Sequence, residues 1–358
     1  MVVTLRDVAE AAGVHPGTAS RALNNPSEVN AKTAARVRRM AARLGYVPNP
    51  NARGLKTSRS NLLGVVIPDL TNPLFPPIIR GIDDTVGERG FRAVIVNTDT
   101  DLGKEVEQVQ ALRARQVDGL LVCTAMLHHP LFQRLQEEKF PLVYLVRTVA
   151  DSHVSSVTGD DASGITMIVD HLAQLGHRHI AHIAGPQDNS AGVRRLRAFE
   201  SAMSDLGLPV REGMIVIADK FQEEHGAVAA RRLLDDDHQV TAIVAANDLL
   251  ALGTYDTLSD RGLHCPDDVS VTGFNDMPFL DKISPPLTSI NVPRYEIGAQ
   301  GATLLLEALT APQTYQPRSV QLPVQLVVRG STRAPAAAIA TGNRRRHLPA
   351  GLATSQSV

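Results

Sequence analysis

Residues 4–45 read TLRDVAEAAGVHPGTASRALNNPSEVNAKTAARVRRMAARLG, and this stretch decides the fold of the N-terminal part of the chain. Thr4 followed by Asp7 is a capping-box pattern, which predicts the start of a first helix. Gly13 predicts a tight turn after that helix. Pro16 suits the first turn of a second helix, because the N–H group that it lacks has no partner there.

A third helix is predicted between Asn30, which caps it, and Gly45, which ends it. Its apolar residues fall on one face of the helix. They are Ala34, Val37, Ala41 and Leu44. Three short helices in this order are typical of a helix-turn-helix module, whose second helix enters a major groove of DNA.

Charge is distributed unevenly along the chain. Residues 1–60 hold ten Lys and Arg against three acidic residues, a net charge of +7, whereas the remainder holds 26 against 34, a net charge of −8. A basic segment of this kind is typical of proteins that bind nucleic-acid phosphates. The alternative is a solvated helical bundle with incidental arginines, and the helix pattern together with the charge favours DNA binding.

From residue 62 onward, short apolar runs alternate with amphipathic helical stretches. This rhythm predicts parallel sheets covered on both faces, arranged as two doubly wound α/β units at about 61–160 and 161–290. Such sheets bind ligands at the carboxyl ends of their strands. The predicted strands are 62–67, 93–96, 119–123, 142–145, 180–183, 215–217, 242–245 and 270–272.

The sequence gives no indication of secretion or of a membrane span. Cys123 and Cys265 do not form a disulfide framework, which suits a reducing compartment. There is no signal peptide and no apolar run of about 18 residues, the length that a membrane span requires. We therefore expect a cytoplasmic protein without membrane contact.

The sequence also lacks a catalytic constellation. It contains no nucleophile-elbow or phosphate-loop motif, so we expect neither an enzyme nor a bound cofactor. His177, His179 and His182 are close in sequence, but no Cys or carboxylate completes a metal site, and we predict none.

The chain resembles the LacI/GalR family of bacterial transcriptional repressors, of the lactose- and purine-repressor type. The resemblance covers about residues 3–333 and implies an N-terminal all-α helix-turn-helix head plus two doubly wound α/β subdomains of periplasmic-binding-protein-like type. The motifs that carry it are T-L-R-D-V-A, A-G-V, T-A-S-R-A-L-N, G-Y-V-P-N, A-R-G-L-K, P-D-L-T-N-P, V-D-G-L-L-V, L-G-H-R-H-I-A-H-I-A-G, A-N-D-L-L-A-L-G and P-D-D-V-S-V-T-G-F-N-D.

The resemblance also implies that the body of the chain crosses between its two subdomains three times. Subdomain one then consists of about 61–160 and 291–322, and subdomain two of about 161–290 and 323–333. The other predicted parts are a DNA-binding domain at 1–48, a hinge at 49–60, an effector-binding and dimerisation domain at 61–333, and a disordered tail at 334–358, which is rich in small and polar residues.

The hinge is predicted to fold only on DNA. Its helical stretch of about eight residues is too short to be stable alone, and Gly54 weakens it further. The resemblance assigns Leu55 as a wedge into the minor groove, beside Lys56, where it would unstack a base step and kink the duplex. The alternative is a plain linker.

Within the second helix, Pro16 and Gly17 occupy the two positions that usually choose the operator in the family, and His15 stands where a serine cap is usual. Neither Pro16 nor Gly17 has a side chain that can hydrogen-bond to a base. The bases at these positions must be read by apolar contact or by close approach of the backbone, or their readout must be transferred to His15 and Arg21. The predicted DNA-binding set is Thr4, Arg6, His15, Pro16, Gly17, Thr18, Ser20, Arg21, Asn24, Asn30, Thr33, Asn49, Ala52, Leu55 and Lys56.

A small-ligand site is predicted where the strands of the body end. The resemblance implies that Arg195 contacts the effector and that Phe75 and Phe221 form flat walls. Near Arg147 the family often has an acidic residue, so the site of this chain should be more positive than is usual in the family. The alternative is that Arg147 pairs with a nearby carboxylate. The predicted effector-binding set is Asn72, Phe75, Asp99, Arg147, Arg195, Phe221, Asn247, Asn275 and Asp276.

Taken together, these observations predict a homodimeric transcriptional regulator, a repressor, that binds a palindromic operator. Its effector would be a sugar, a sugar acid or another small polar metabolite, which can be anionic. The competing class is a transport-type solute-binding protein, which predicts an export signal and no basic head. An enzyme acting on nucleotides or sugars would require the catalytic residues that are missing.

Overall fold

The structure is a computed structural model that describes residues 3–46, 60–235 and 239–336. The chain divides into two compact units, Met1–Asn61, called the head below, and Leu62–Val358, called the body. The predicted hinge lies outside the described residues apart from residue 60, and so does the predicted tail apart from 334–336.

The head is helical, as the sequence predicts. The Thr4 hydroxyl accepts a hydrogen bond from the Asp7 N–H, and the Asp7 carboxylate accepts one from the Thr4 N–H, so both halves of the capping box are present. Gly13 and Gly45 both have positive φ, at 60° and 66°, which is the conformation that a glycine turn and a glycine cap require. The helices are α1 (Leu5–Ala11), α2 (Pro16–Asn24) and α3 (Ala31–Leu44), with a 3₁₀ turn at Pro26–Glu28.

The core of the head is built from small apolar side chains. The fully buried residues are Val8, Ala9, Ala12, Ala19, Ala22, Ala34, Val37 and Ala41. Leu44, the last residue of the predicted apolar face, is 37% exposed. The helix ends there, and the chain turns back through Gly45 so that Tyr46 packs against the core instead.

The body contains two parallel sheets with helices on their faces, which confirms the predicted α/β class. The first sheet has six strands, which lie in the order Ser319–Leu322, Ser156–Gly159, Leu142–Leu145, Gly119–Val122, Leu62–Ile67 and Arg92–Asn97. The second has four strands, in the order Ile215–Ile217, Ile180–Ala184, Ala242–Ala245 and Ser270–Thr272. The first part of the body contains β1 (Leu62–Ile67), α4 (Phe75–Glu88), β2 (Arg92–Asn97), α5 (Leu102–Ala114), β3 (Gly119–Val122), α6 (Pro130–Glu137), β4 (Leu142–Leu145) and β5 (Ser156–Gly159).

The second sheet is formed by the next part of the chain. Its elements are α7 (Asp161–Gln174), β6 (Ile180–Ala184), α8 (Ser190–Asp205), β7 (Ile215–Ile217), α9 (Glu223–Asp235), β8 (Ala242–Ala245), α10 (Asp248–Asp260) and β9 (Ser270–Thr272). The chain then continues through β10 (Ser289–Asn291), α11 (Arg294–Thr310), β11 (Ser319–Leu322) and β12 (Gln325–Val327).

The last of these elements return to the first sheet before the chain goes back to the second. Strand β11 pairs in parallel with β5 at the edge of the first sheet, and β12 then pairs antiparallel with β10. Helix α11 packs so closely on α4 that a side chain would not fit at two of the contacts. A Cβ at Gly81 would lie 2.1 Å from the Tyr295 carbonyl oxygen, and one at Gly298 would lie 2.0 Å from the Ile78 carbonyl oxygen. Two glycines therefore allow this helix contact.

Membrane-spanning helices were sought among the described residues, and none of their helices is both long and apolar enough to cross a bilayer.

Candidate functional site

Six of the predicted DNA-binding residues lie on α2: Pro16, Gly17, Thr18, Ser20, Arg21 and Asn24. Arg21 and Asn24 are exposed, while Thr18 and Ser20 are half-buried. The Arg21 Nε donates to the Gly17 carbonyl at 3.3 Å, and the Asn24 amide donates to the Ser20 carbonyl at 3.0 Å. The Asn24 amide also contacts the Ser20 hydroxyl at 3.4 Å, whereas the contact of Arg21 uses only its Nε and leaves both Nη groups available to DNA.

His15 caps this helix in place of the usual serine. Its Nδ1 accepts a hydrogen bond from the Gly17 N–H at 3.2 Å, and Pro16 occupies the first helical position. An imidazole that accepts at Nδ1 carries its proton on Nε2. Because His15 is exposed, its Nε2–H is a donor that is accessible at the N-terminus of α2.

The remaining head residues of the DNA-binding set lie on other elements. Arg6 is exposed on α1, Thr33 is half-buried on α3, and the exposed Asn30 caps α3 by accepting from the Lys32 N–H at 3.0 Å. Thr4 is exposed and serves as the cap of α1. Four members of the set lie outside the described residues: Asn49, Ala52, Leu55 and Lys56.

The basic side chains of residues 3–46 have no carboxylate partners in the described part of the chain. Five of them lie on α3, namely Lys32, Arg36, Arg38, Arg39 and Arg43. Within residues 3–46, no Lys or Arg forms an ion pair with a carboxylate of the described chain. The positive charge of the head is therefore available to phosphate groups.

A cavity of about 310 Å³ lies in the body, where the strands of both sheets end. Asn72 and Thr98 reach it after β1 and β2, and Arg147 reaches it after β4. From the second sheet, Phe221 follows β7 and Asn247 follows β8. The position at the carboxyl ends of parallel strands is the one that the sequence predicts.

The structure brings together seven of the nine predicted effector-binding residues. The cavity is lined by Asn72, Phe75, Arg147, Arg195, Phe221, Asn247 and Asn275. Asp99 and Asp276 are not in the lining. The exposed Asp99 pairs with Lys104, and Asp276 pairs with Arg329 at 2.7 Å, so both carboxylates have partners within the protein.

Arg195 is held in a buried network at the cavity wall. It is 5% exposed, and its Nε donates to the Asp161 carboxylate at 2.8 Å while its Nη1 donates to the Ala246 carbonyl at 2.6 Å. The guanidinium carbon also lies 3.8 Å from the centre of the Phe274 ring. Arg195 is therefore a structural ion-pair partner as well as a lining residue, and only part of its donor fork is free to meet a ligand.

Arg147 differs from Arg195 because it has no carboxylate partner. No acidic side chain in the described part of the chain forms an ion pair with it, and its guanidinium lies 5.7 Å from the centre of the Phe221 ring. Burial lowers the pKa of Arg147, while the charge of Asp188 acts in the opposite direction. The alternative in which Arg147 is paired with an acid is not what the structure shows.

Hydrogen bonds join the segments that follow the two sheets beside the cavity. The Thr148 N–H donates to the Ser190 hydroxyl at 2.8 Å, and the Leu127 N–H donates to the Asp188 carbonyl at 2.8 Å. The Arg194 Nη2 donates to the Thr148 hydroxyl at 3.3 Å. Movement between the two sheets would break these contacts.

Several lining residues cannot be identified from the sequence pattern. They are mostly polar and include four acidic side chains and one lysine: Asp69, Glu105, Asp188, Asp219 and Lys220. Together with Arg147 and Arg195, the lining thus has four acidic and three basic side chains. The expected excess of positive charge is absent from it, because loops after β1, β6 and β7 supply acids. The run PQDN that follows β6 is the one sequence signal that could have found Asp188.

Two of the three histidines that are close in sequence, His177 and His182, hydrogen-bond to different partners. His177 hydrogen-bonds to the Thr241 hydroxyl at 2.9 Å and to the Arg333 carbonyl at 2.8 Å, and His182 hydrogen-bonds to the Val244 carbonyl at 2.7 Å. The described residues contain no group of three or more side chains that could hold a metal ion.

Comparison with known proteins agrees with this geometry. Residues 4–49 match the family of bacterial regulatory proteins called lacI, and residues 169–332 match a periplasmic binding protein-like domain. The HTH-type transcriptional regulator DegA of Bacillus subtilis is 33% identical over 335 residues, which are 93% of this chain and 98% of DegA.

Two solved structures resemble the chain over nearly its whole length. A lac repressor dimer bound to operator and the anti-inducer ONPF has a TM-score of 0.83 and 28% identity, covering 93% of this chain and 100% of its own. The complex of the transcriptional regulator CelR with cellobiose has a TM-score of 0.71 and 34% identity, covering 92% and 99%. These relatives do not favour the transport-protein alternative, and the chain belongs to the LacI family of bacterial transcriptional regulators.

Proposed function

We propose that this protein is a homodimeric repressor that binds a palindromic operator and is controlled by a small polar effector in the body cavity. In this arrangement, residues 1–48 read the half-sites, residues 49–60 act at the operator centre, and residues 61–333 bind effector and form the dimer. The protein acts by binding rather than by catalysis and works in the cytoplasm, where its DNA target is.

One observation carries this proposal: the cavity takes its lining from both sheets of the body. A ligand that contacts Arg147 and Phe221 at once touches segments that follow strands of different sheets. Such a ligand binds one arrangement of the two sheets better than another. It can therefore shift the equilibrium between DNA-binding and non-binding states by its differential affinity.

The effector class follows from the lining. Phe75 and Phe221 offer flat apolar surfaces, while Asp188, Asn247 and Arg147 offer charged and polar groups around them. A polyhydroxylated molecule fits this combination, because its C–H faces pack on aromatic rings and its hydroxyls hydrogen-bond to the rim. The complex of CelR with cellobiose supports a saccharide.

The decisive experiment measures DNA and ligand together. An operator is selected from random duplexes with the full-length protein, and the affinity is measured by gel shift with and without members of a saccharide panel. We expect a palindromic site, a dimer in sedimentation, and one saccharide that changes operator affinity at least tenfold. A selected site without symmetry, or a monomer that binds with full affinity, contradicts the proposal.

The hinge is tested separately. Leu55→Ala should lose operator bending and specific affinity but keep the salt-dependent non-specific binding, because phosphate contacts survive the change. Full bending by Leu55→Ala in a circular-permutation gel assay would leave residues 49–60 as a plain linker.

A further inference from the structure

A buried carboxylate, that of Glu105, forms part of the cavity. Glu105 lies in the first turn of α5, is 3% exposed and belongs to the lining. Its Oε2 lies 2.6 Å from the Nε2 of His129, and its Oε1 accepts a hydrogen bond from the Thr124 hydroxyl. The mechanism of operator release proposed above does not use this cluster.

The two partners hold the Glu105 carboxylate in place. His129 is 2% exposed, and its ring centre lies 4.4 Å from that of Phe132, which restricts the imidazole. The Nδ1 of His129 has no hydrogen-bond partner among the described residues. An N–H that the Nε2 of His129 donates to the Glu105 carboxylate accounts for the short contact between the two side chains.

The carboxylate retains acceptor capacity that the protein does not fill. A carboxylate accepts at about four lone-pair sites, and the contacts from Thr124 and His129 occupy two of them. Because Glu105 lines the cavity, a donor from a bound ligand can reach it.

Arg147 lines the same cavity and feels the negative charge of Glu105, which opposes the lowering of the Arg147 pKa by burial. A hydroxyl group can donate to a carboxylate and accept from a guanidinium at the same time. A ligand carboxylate can only accept from Arg147, and an ammonium group can only donate to Glu105.

We propose that Glu105 is a specificity-determining residue of the effector site: it accepts a hydrogen bond from an effector hydroxyl and disfavours the acidic form of the same molecule. Thr124 and His129 are positioning residues that orient the carboxylate. The proposal rests on the effector role of the cavity and decides between the two effector chemistries that Arg147 alone leaves open, the neutral sugar and the sugar acid.

Calorimetry on the full-length protein tests this with matched pairs of probes: glucose and glucuronate, ribose and ribonate, cellobiose and cellobionate. We expect the neutral member of the bound pair to bind more tightly. Glu105→Gln should weaken its binding by about ten- to a hundredfold, since a hydrogen bond to a charged group is lost. The same variant should reduce the difference in affinity between the neutral and the acidic member of the pair.

The matched control is Glu107→Gln, which removes the same charge from an exposed position on the same helix and should leave both affinities unchanged. Thr124→Val and Thr124→Ser supply a second test if Glu105→Gln does not fold. The valine variant should weaken binding of the neutral probe, and the serine variant, which keeps the hydroxyl, should restore it.

Three results overturn the proposal. They are tighter binding of the acidic member by the wild type, an equal effect of Glu105→Gln on both members, and no binding of any neutral member. Operator binding is measured in parallel. If a ligand alters operator affinity and one of these three results is also found, the proposed function stands and this inference fails. Absence of operator binding overturns the proposed function and leaves the calorimetric comparison valid.

Discussion

The head and the body place their functional side chains in opposite environments. In the described part of the head, all fully buried residues are alanine or valine, and the DNA-binding side chains such as Arg21 lie outside this core. In the body, the cavity is built from charged and polar groups that are themselves buried, including Arg195, Glu105 and Asn247.

This difference determines how function and stability are related in each unit. An exposed side chain that contacts only DNA can be removed with little change in the free energy of unfolding. A buried charge cannot be removed without leaving its partner unpaired, which is strongly destabilising. We therefore expect substitutions in the head to separate binding from stability, and substitutions in the cavity to change both.

The largest effect is expected for Arg195→Ala. It removes the Nε that donates to Asp161, which is only 3% exposed, and the Nη1 that donates to Ala246. Breaking one side of a buried ion pair costs about 3–5 kcal/mol. Thermal or urea unfolding should show this loss, and the response of operator binding to effector should disappear as well.

A double variant shows whether the loss comes from the unpaired charge. Arg195→Gln combined with Asp161→Asn keeps hydrogen-bonding groups without the charges, so it should recover much of the stability while remaining unresponsive to effector. If Arg195→Ala alone unfolds at the wild-type temperature, the body does not couple function to stability as proposed.

The second prediction concerns Asp248, a fully buried carboxyl at the start of α10. It accepts from the Ser289 hydroxyl at 2.5 Å and from the Met277 N–H at 2.9 Å, yet burial raises its pKa to about 7. The folded state thus binds this proton more tightly than the unfolded state does. The bound proton therefore adds to the free energy of unfolding below about pH 4, and this contribution is lost as the pH rises towards about 7.

In the wild type, titration of Asp248 should lower the free energy of unfolding between pH 4 and 7 by an amount on the order of a few kcal/mol. Asp248→Asn should remove this fall. Unfolding in urea at a series of pH values measures it. Asp260→Asn is the control, because Asp260 is exposed at the end of the same helix and forms only a 3.8 Å surface pair with Arg231, so it should leave the wild-type profile unchanged. Parallel profiles for Asp248→Asn and wild type would mean that Asp248 does not titrate in this range.

The sequence predicts those features that depend on neighbours along the chain. Thr4 and Asp7 form a local cap, and each predicted strand is a local apolar run, so both are found in the structure. The four strands absent from the prediction, β5, β10, β11 and β12, are short and contain Ser, Gln, Thr or Asn. Strand β11 pairs with β5, which lies far away in sequence, and no local pattern reveals such a pairing.

The cavity shows the same division. Asn72 and Arg147 directly follow strands and were predictable as strand-end residues. Glu105 reaches the cavity from a helix, at a position where the helical pattern indicates only a charged residue near an N-terminus. Asp276 follows a strand but pairs with Arg329, 53 positions later in the chain. Which partner a charged side chain takes depends on tertiary contacts that periodicity does not encode.

The third prediction tests the head. Arg21→Ala should weaken binding to the selected operator by about 1–3 kcal/mol, the contribution of one good side-chain contact to a base edge, while leaving the unfolding curve unchanged. Arg43→Ala removes the same charge from an exposed position at the end of α3. If Arg43→Ala weakens operator binding as much as Arg21→Ala does, both residues act through charge alone and Arg21 does not read the operator.

The smallest effect is expected at His15, where cap and readout can be separated. His15→Ala removes the acceptor for the Gly17 N–H and should destabilise α2 by about 1 kcal/mol, visible as faster amide exchange along that helix. His15→Ser restores an ordinary cap and should exchange at the wild-type rate. It lacks the outward Nε2–H, however, and should still bind the selected operator more weakly. If His15→Ser binds the operator with wild-type affinity, His15 serves only as a cap. Arg21 would then remain, of these two residues, as the candidate for the base readout that Pro16 and Gly17 cannot provide.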